Sequence, residues 1–174
     1  MNVSHYLIGI GFYGAMVFAA WIEGAANLGV WDINDVDWSL KSSYILNPHV
    51  IIALSLYVYA SWHQHTCHQI LANIRSKTRD PSSSSSQSNV YQIPRGDWFE
   101  SVVCPHYLAD ILIYVSMCIL NKWQNLTLLA GLFWTIINLT VTASETEEWY
   151  KKSFGSKYKK TFVRGRWVIL PGIY

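Results

Sequence analysis

A stripe of ionisable residues opens an apolar segment in the second half of the chain. At spacings of four residues it carries His106, Asp110 and Tyr114, which share one face if the segment is an α-helix. Pro105 suits the first position of that helix, because the N–H that proline lacks has no partner there. A carboxylate at the mouth of an apolar helix is costly in lipid, so we expect Asp110 to face the protein interior or a polar ligand. The alternative is a carboxylate that snorkels to the membrane surface.

A second line of polar residues runs along an earlier segment. Gln64, His68 and Arg75 fall at i, i+4 and i+11, which is close to one line along an α-helix. The line ends on the guanidinium of Arg75 at the expected membrane surface. This group is either a snorkelling anchor or a bidentate ligand of a phosphate. Three further arginines lie in later basic segments, namely Arg95, Arg164 and Arg166. If the segments pack as a bundle, the arginines converge around Asp110 and would suit a ligand with several phosphates.

Histidine and cysteine side chains cluster on the same segment, at His63, His65, Cys67 and His68. On a helix of 3.6 residues per turn only His63/Cys67 and His65/His68 share faces, and the two faces point in different directions. Four ligands cannot converge from one straight helix, so no metal site is predicted. The chain has three cysteines without a C-x-x-C pair, namely Cys67, Cys104 and Cys118. We expect buried free thiols rather than disulfides or a zinc site.

The composition indicates a membrane protein. Of 174 residues, 51% are hydrophobic and only 14% are charged, whereas about a quarter of residues are charged in soluble proteins. The apolar residues form about four blocks of spanning character, at residues 5–28, 48–62, 105–120 and 126–144. We predict an all-α, polytopic integral membrane helical bundle that occupies residues 1–174 as one domain. The net charge of +2 is too small to indicate nucleic-acid binding.

Polar segments separate the apolar blocks and suggest an orientation. The connector at residues 29–47 is acidic, residues 78–90 form a Ser-rich loop that we expect to be mobile, and residues 121–125 form a short turn. Lysine and arginine are concentrated in the loop at residues 75–96 and in the C-terminal tail. The positive-inside rule therefore predicts that this loop and the tail face the cytosol.

Several spaced motifs resemble one family. The run YQIPRGDWFE at residues 91–100, followed by CPHYLAD at residues 104–110, is similar to the signature of the steroid 5α-reductase family. The elements DWFE and PHYLA are most similar to its polyprenol (polyprenal) reductase branch. The pattern C-H-x-I-L-x-N-x-R from Cys67, the run EWYKK and the closing R-x-x-x-x-P of Arg166 and Pro171 fit the same branch. Together the motifs cover residues 5–174.

The resemblance implies an endoplasmic-reticulum membrane enzyme that uses NADPH to saturate a carbon–carbon double bond next to a carbonyl. In this branch the substrate is the α-isoprene unit of a long polyprenyl aldehyde, on the route to dolichol and N-glycosylation. Two alternatives stay open. One is a non-catalytic, NADPH-binding membrane remnant or isoform. The other is a steroid 5α-reductase that acts on 3-oxo-Δ4 steroids. The resemblance does not indicate an oligomeric state.

The resemblance also assigns cofactor-binding positions, namely Gln64, His68, Arg75, Tyr91, His106, Asp110, Tyr150 and Arg166. We expect Arg75 and Arg166 to pair with phosphate or pyrophosphate, and His106, Asp110 and the tyrosines to hold ribose and nicotinamide. In the family, the acidic and tyrosine groups that polarise the substrate carbonyl lie on further membrane helices upstream. The chain is expected to represent the C-terminal half, truncated relative to the family, so no catalytic residue is assigned.

Overall fold

Four α-helices make up most of the part of the chain that the structure describes. The computed structural model describes residues 3–27, 46–79, 92–162 and 165–172. The helices are α1 (Val3–Asn27), α2 (Pro48–Arg79), α3 (Pro105–Leu120) and α4 (Leu126–Thr161), and a short 3-10 helix, Asp97–Glu100, precedes α3. Among the described residues, Val102 and Trp167 form an isolated parallel β-bridge. The predicted all-α class is confirmed.

The helix boundaries follow local sequence signals closely. Proline is the first residue of both α2 and α3, where its missing N–H has no intrahelical partner. The turn predicted at residues 121–125 separates α3 from α4. Helix α2 continues to Arg79, so the first two residues of the predicted Ser-rich loop are helical. The rest of that loop, and the acidic connector at 29–45, lie outside the described residues.

One described helix is long and apolar enough to cross a membrane. This is α4, whose most apolar 18 residues have a mean hydropathy of 1.7. The apolar stretches Gly14–Ala25 and Pro105–Leu120 are shorter. The 16 residues of α3 rise about 24 Å, against about 30 Å of bilayer hydrocarbon. The number of spanning helices expected from the sequence, about four, therefore stays a prediction.

The chain divides into two compact units. The first comprises Met1–Tyr57 with Ile113–Thr135, and the second comprises Val58–Leu112 with Ile136–Tyr174. The seven described residues among those assigned to cofactor binding fall within the second unit. The two units share α2, α3 and α4, each of which begins in one unit and ends in the other.

In the first unit the N-terminus of α4 is capped by two side chains. Oδ1 of Asn125 accepts a hydrogen bond from the backbone N–H of Leu128 at 2.9 Å. The carboxylate of Glu23, on α1, accepts from the N–H groups of Leu126 and Thr127 at 2.6 and 2.8 Å. These N–H groups have no partner within the helix. Glu23, the one acidic residue in the first apolar block, therefore stabilises the start of another helix.

In the second unit the chain around the 3-10 helix packs against the C-terminal segment. The N–H of Val103 donates to the carbonyl of Trp167, and the N–H of Trp167 donates to the carbonyl of Ser101, both at 2.9 Å. Phe99 and Ile169 are 1% and 0% exposed. The three cysteines of the chain are free and buried, as predicted. The C-terminal segment is thus part of the core of this unit.

Candidate functional site

The carboxylate of Asp110 faces α2. Its Oδ1 accepts a hydrogen bond from Nε2 of Gln64, and both side chains are partly buried. The two residues meet because each lies on the polar side of an otherwise apolar or amphipathic helix. The Asp110 side chain is therefore turned toward another helix, in agreement with the interior orientation, one of the two alternatives for this carboxylate.

Two imidazole rings extend this polar pair. His68 follows Gln64 by one helical turn, is exposed, and places its ring centroid 5.6 Å from that of His106. The ring of His106 also contacts Tyr107 at 4.3 Å and Phe99 at 6.3 Å between centroids. Nδ1 of His106 is buried and has no hydrogen-bond partner among the described residues. Buried polar atoms normally have partners, so this nitrogen has an unused hydrogen-bonding position. We call Gln64, His68, His106 and Asp110 the polar patch.

Arg166 occupies a cage of aromatic rings. The residue is 9% exposed. Its Cζ lies 3.9 Å from the ring centroid of Phe162, 5.0 Å from Tyr158 and 5.6 Å from Tyr150. Nη1 donates to the carbonyl oxygen of Phe99 at 3.1 Å. Nε and Nη2 find no acceptor within the described ranges. The cage stabilises a buried cation through the negative faces of the rings and leaves two donors for an anion.

The cage is built from aromatic residues spaced four apart in the second half of α4, where the backbone is kinked at Gly155 (φ 47, ψ -119). Aromatic residues recur at Tyr150, Phe154 and Tyr158, and Phe162 continues the spacing directly after the helix. The rings of Tyr150 and Tyr158 lie 6.0 Å apart and 8° from parallel. The sequence prediction included Tyr150 alone of these four. The spacing of four residues was the signal that identifies the whole aromatic face.

Arg75 lies apart from these contacts. It is exposed on the last turns of α2, roughly 16 Å beyond Gln64 at 1.5 Å per residue. Among the residues that the structure describes, no acidic side chain forms an ion pair with it. Its exposed guanidinium is suited to an anion at the surface. Tyr91 and Arg164, which were also singled out in the sequence, lie outside the described residues.

Two of the four predicted arginines share one aromatic ring. The Cζ of Arg95 lies 5.2 Å from the centroid of Phe162, the ring that also contacts Arg166. Nε of Arg95 donates to Glu100 at 2.9 Å. This hydrogen bond and one from the backbone N–H of Gly96 hold the pKa of Glu100 below its usual range. The structure therefore brings Arg95 and Arg166 together at Phe162, and not around Asp110.

Two of the three buried thiols have a pKa well above neutral. Burial raises the pKa of Cys104 to about 11. Burial, assisted by the charge of Asp97, raises the pKa of Cys67 to about 12. A protonated thiol neither attacks an electrophile nor ligates a metal. In the described part of the chain no three His, Cys, Asp or Glu side chains gather closely enough to hold a metal ion.

One further contact was not predicted from the sequence. Asp97, in the 3-10 helix, accepts hydrogen bonds from His63 and Cys67 on α2. The spacing of His63 and Cys67 does place them on one helix face, but nothing local identifies a partner 34 residues away for His63.

Known proteins resemble the chain over almost its whole length. A sequence model described as 3-oxo-5-alpha-steroid 4-dehydrogenase matches residues 10–174, a range that includes the polar patch and the Arg166 cage. The chain belongs to this family. It is a family of NADPH-dependent reductases of membranes, and the resemblance inferred from the motifs is confirmed.

Individual relatives are polyprenal reductases. The protein of Xenopus laevis is 34% identical over 166 residues, which are 94% of this chain and 49% of the relative. That of Saccharomyces cerevisiae is 32% identical over 154 residues, 88% of this chain and 47% of the relative. The human protein is 35% identical over 151 residues, 78% of this chain and 45% of the relative. This member of the family thus spans about half the length of the curated relatives that it matches.

Proposed function

We propose that the chain provides the NADPH-binding part of a polyprenal reductase. The reaction is reduction of the α-isoprene double bond of a polyprenyl aldehyde on the route to dolichol, in support of N-glycosylation. The observation that carries the proposal is the polar patch, a hydrogen-bonded carboxylate and two imidazoles, in a family of NADPH-dependent reductases. The names of the relatives, polyprenal reductases, support the substrate.

The side chains of the second unit fit a reduced dinucleotide. The Asp110 carboxylate has lone pairs beyond those used by Gln64 and would accept hydrogen bonds from ribose hydroxyls. Nδ1 of His106 is a buried polar atom that needs a partner. The exposed guanidinium of Arg75 suits the 2′-phosphate, and the free donors of Arg166 suit pyrophosphate. Tyr91 and Tyr150 would complete the nicotinamide side.

Each of these side chains has its own role in holding the cofactor. NADPH supplies the hydride that saturates the double bond. Gln64 holds the Asp110 carboxylate in one orientation, and Asp110 with His68 and His106 orients the ribose. Arg75 binds phosphate at the membrane surface. We assign no residue of this chain to polarisation of the substrate carbonyl.

The proposal places the protein in the endoplasmic-reticulum membrane with the cofactor on the cytosolic side. The exposed apolar residues of α4, which include Phe133, Trp134, Ile137 and Val141, are suited to contact with acyl chains or with a polyprenyl chain. Lysines at the end of the same helix, such as Lys159 and Lys160, are exposed. By the positive-inside rule this end faces the cytosol, where NADPH is available.

Titration with NADPH and NADH tests the proposal. The purified protein in detergent is expected to bind NADPH more tightly than NADH. Arg75→Ala should weaken NADPH binding by about tenfold or more, with little effect on NADH, because only NADPH carries the 2′-phosphate. Lys122→Ala, which removes an exposed cation from the other unit, is the control and should change neither affinity. Equal losses for both cofactors in Arg75→Ala would refute the assignment of Arg75.

Turnover assays distinguish three possible functions of the protein, all of which use the same cofactor site. Saturation of polyprenal would establish the proposed reaction. Reduction of a 3-oxo-Δ4 steroid alone would favour the activity that the family description names. Binding of NADPH with neither turnover would identify a non-catalytic NADPH-binding membrane protein.

A further inference from the structure

One carboxylate fastens the loop before α3 to α2. Oδ1 and Oδ2 of Asp97 lie 3.0 and 2.9 Å from Nδ1 of His63, and Oδ2 also accepts from Sγ of Cys67 at 3.6 Å. The next residue, Trp98, stacks on the His63 ring at 4.1 Å between centroids and 16° from parallel. The ring of Tyr59 contacts the edge of this stack, 4.6 Å from His63. Two consecutive residues of the 3-10 helix thus contact three residues on one face of α2, each about one turn from the next.

The backbone at Asp97 is strained, and these contacts hold it. Asp97 has φ 46, in the left-handed region that residues with a Cβ rarely adopt, and Gly96 before it has φ 94. Such conformations persist only where the surroundings enforce them, and they cluster at functional sites. Aspartate and asparagine tolerate the region best among residues with a Cβ, because of their short polar side chains.

The 3-10 helix that Asp97 holds against α2 contacts two residues assigned to cofactor binding. The carbonyl of Phe99, two residues after Asp97, accepts from Arg166 at 3.1 Å. The Phe99 ring is 1% exposed and lies 6.3 Å from that of His106. Displacement of the 3-10 helix would therefore move Phe99, which contacts both His106 and Arg166.

We propose that Asp97 is a positioning residue of the cofactor site: by its contact with His63 it fixes the 3-10 helix on α2 and so sets the positions of His106 and Arg166. The proposal rests on the proposed function and adds a residue that contacts neither cofactor nor substrate. The carboxylate is needed as a hydrogen-bond acceptor with access to the left-handed backbone.

Two substitutions separate the backbone from the side-chain contact. Asp97→Gly adopts the left-handed conformation without strain but removes the acceptor. Asp97→Asn keeps an acceptor oxygen and tolerates the same backbone. The expected result is an increase of about tenfold in the Kd for NADPH in Asp97→Gly, and less than about threefold in Asp97→Asn. The control is Glu100→Gln, which removes the charge paired with exposed Arg95 but keeps an oxygen that can accept from the Gly96 N–H. It should bind NADPH normally.

Hydrogen exchange gives a second readout that needs no cofactor. The amides of Phe99, Ser101 and Val102 donate to Gly96 and Trp98 carbonyls at 2.8 to 3.1 Å within the fastened segment. In Asp97→Gly these amides should exchange about tenfold faster, and in Asp97→Asn at close to the wild-type rate. His63→Ala should reproduce the Asp97→Gly effects, and the double variant should show no further increase, because both changes break one contact.

Each of these results supports or contradicts a stated part of the proposal. Unchanged exchange in Asp97→Gly would overturn the fastening of the helix, and faster exchange with an unchanged Kd for NADPH would overturn the positioning role. A wild-type protein that does not bind NADPH would overturn the proposed function and the positioning role together. The exchange comparison would then still show whether Asp97 holds the 3-10 helix, so the two failures are distinguishable.

Discussion

The guanidinium carbon of Arg166 lies 3.9 Å from the ring centroid of Phe162, four residues earlier in the chain. The same guanidinium donates to the carbonyl of Phe99, 67 residues away, at 3.1 Å. The residue that the family resemblance assigns to phosphate is therefore also a buried part of the fold. It joins the end of α4 to the 3-10 helix, and this double role can be tested.

Arg166→Ala should destabilise the protein even in the absence of NADPH. The substitution removes contacts with three aromatic rings and leaves the Phe99 carbonyl without its donor, so we expect a loss of about 2–4 kcal/mol in the free energy of unfolding. Arg166→Lys should recover only part of it, because an ammonium lacks the planar fork. The measurement is chemical unfolding in detergent.

Arg95→Ala is the matched control for that experiment. Arg95 contacts the same Phe162 ring at 5.2 Å, but its side chain is 55% exposed. Its removal should change the free energy of unfolding by less than about 1 kcal/mol. Wild-type stability of Arg166→Ala without ligand would show that this guanidinium serves the phosphate alone.

Gln64→Leu should weaken NADPH binding through Asp110. Without the amide donor, the half-buried carboxylate loses the hydrogen bond that orients it, and we expect the Kd for NADPH to rise about fivefold to tenfold. Gln69→Leu makes the same change on the same helix, at an exposed glutamine that contacts His65, and should leave the Kd unchanged. Equal effects of the two substitutions would argue against a role for the Gln64–Asp110 pair.

Asn125→Ala should destabilise the first unit. Asn125 is 3% exposed, caps α4 through Leu128, and donates from Nδ2 to the carbonyl of Ala20 at 3.0 Å. The loss of both bonds should cost about 1–2 kcal/mol in thermal unfolding. Asn125→Asp keeps the cap and loses only the donor, so its effect should be smaller. The control Asn121→Ala, at a less buried asparagine of the same turn, should change stability by less than about 0.5 kcal/mol.

Cys104 should resist alkylation in the folded protein. Burial raises its pKa to about 11, so the thiol stays protonated through pH 8, and below the pKa each unit of pH should raise the reactive fraction about tenfold. Iodoacetamide labelling followed by mass spectrometry, at pH 7 to 9, should show slow modification in the native protein and fast modification in denaturant. Native labelling as fast as in denaturant would contradict the buried, protonated thiol.

The sequence by itself determined the helical elements and the family. Helix starts at Pro48 and Pro105 and the turn at 121–125 depend on neighbouring residues, and apolar blocks follow from composition. The order of the motifs was enough to indicate the family that the comparisons confirm. The sequence also identified the members of the polar patch, because a line of polar residues on an apolar helix is a local pattern.

Only the tertiary structure decided which of these groups meet. The Gln64–Asp110 bond joins residues 46 apart, the Asp97–His63 contact 34, and the Glu23 cap of α4 more than 100. Such pairings depend on how helices pack and how the chain returns, and no periodicity within one helix encodes them. The same packing buried Arg166 among aromatic rings and left Arg75 exposed, although both are arginines in basic segments, because burial is a property of the assembled unit.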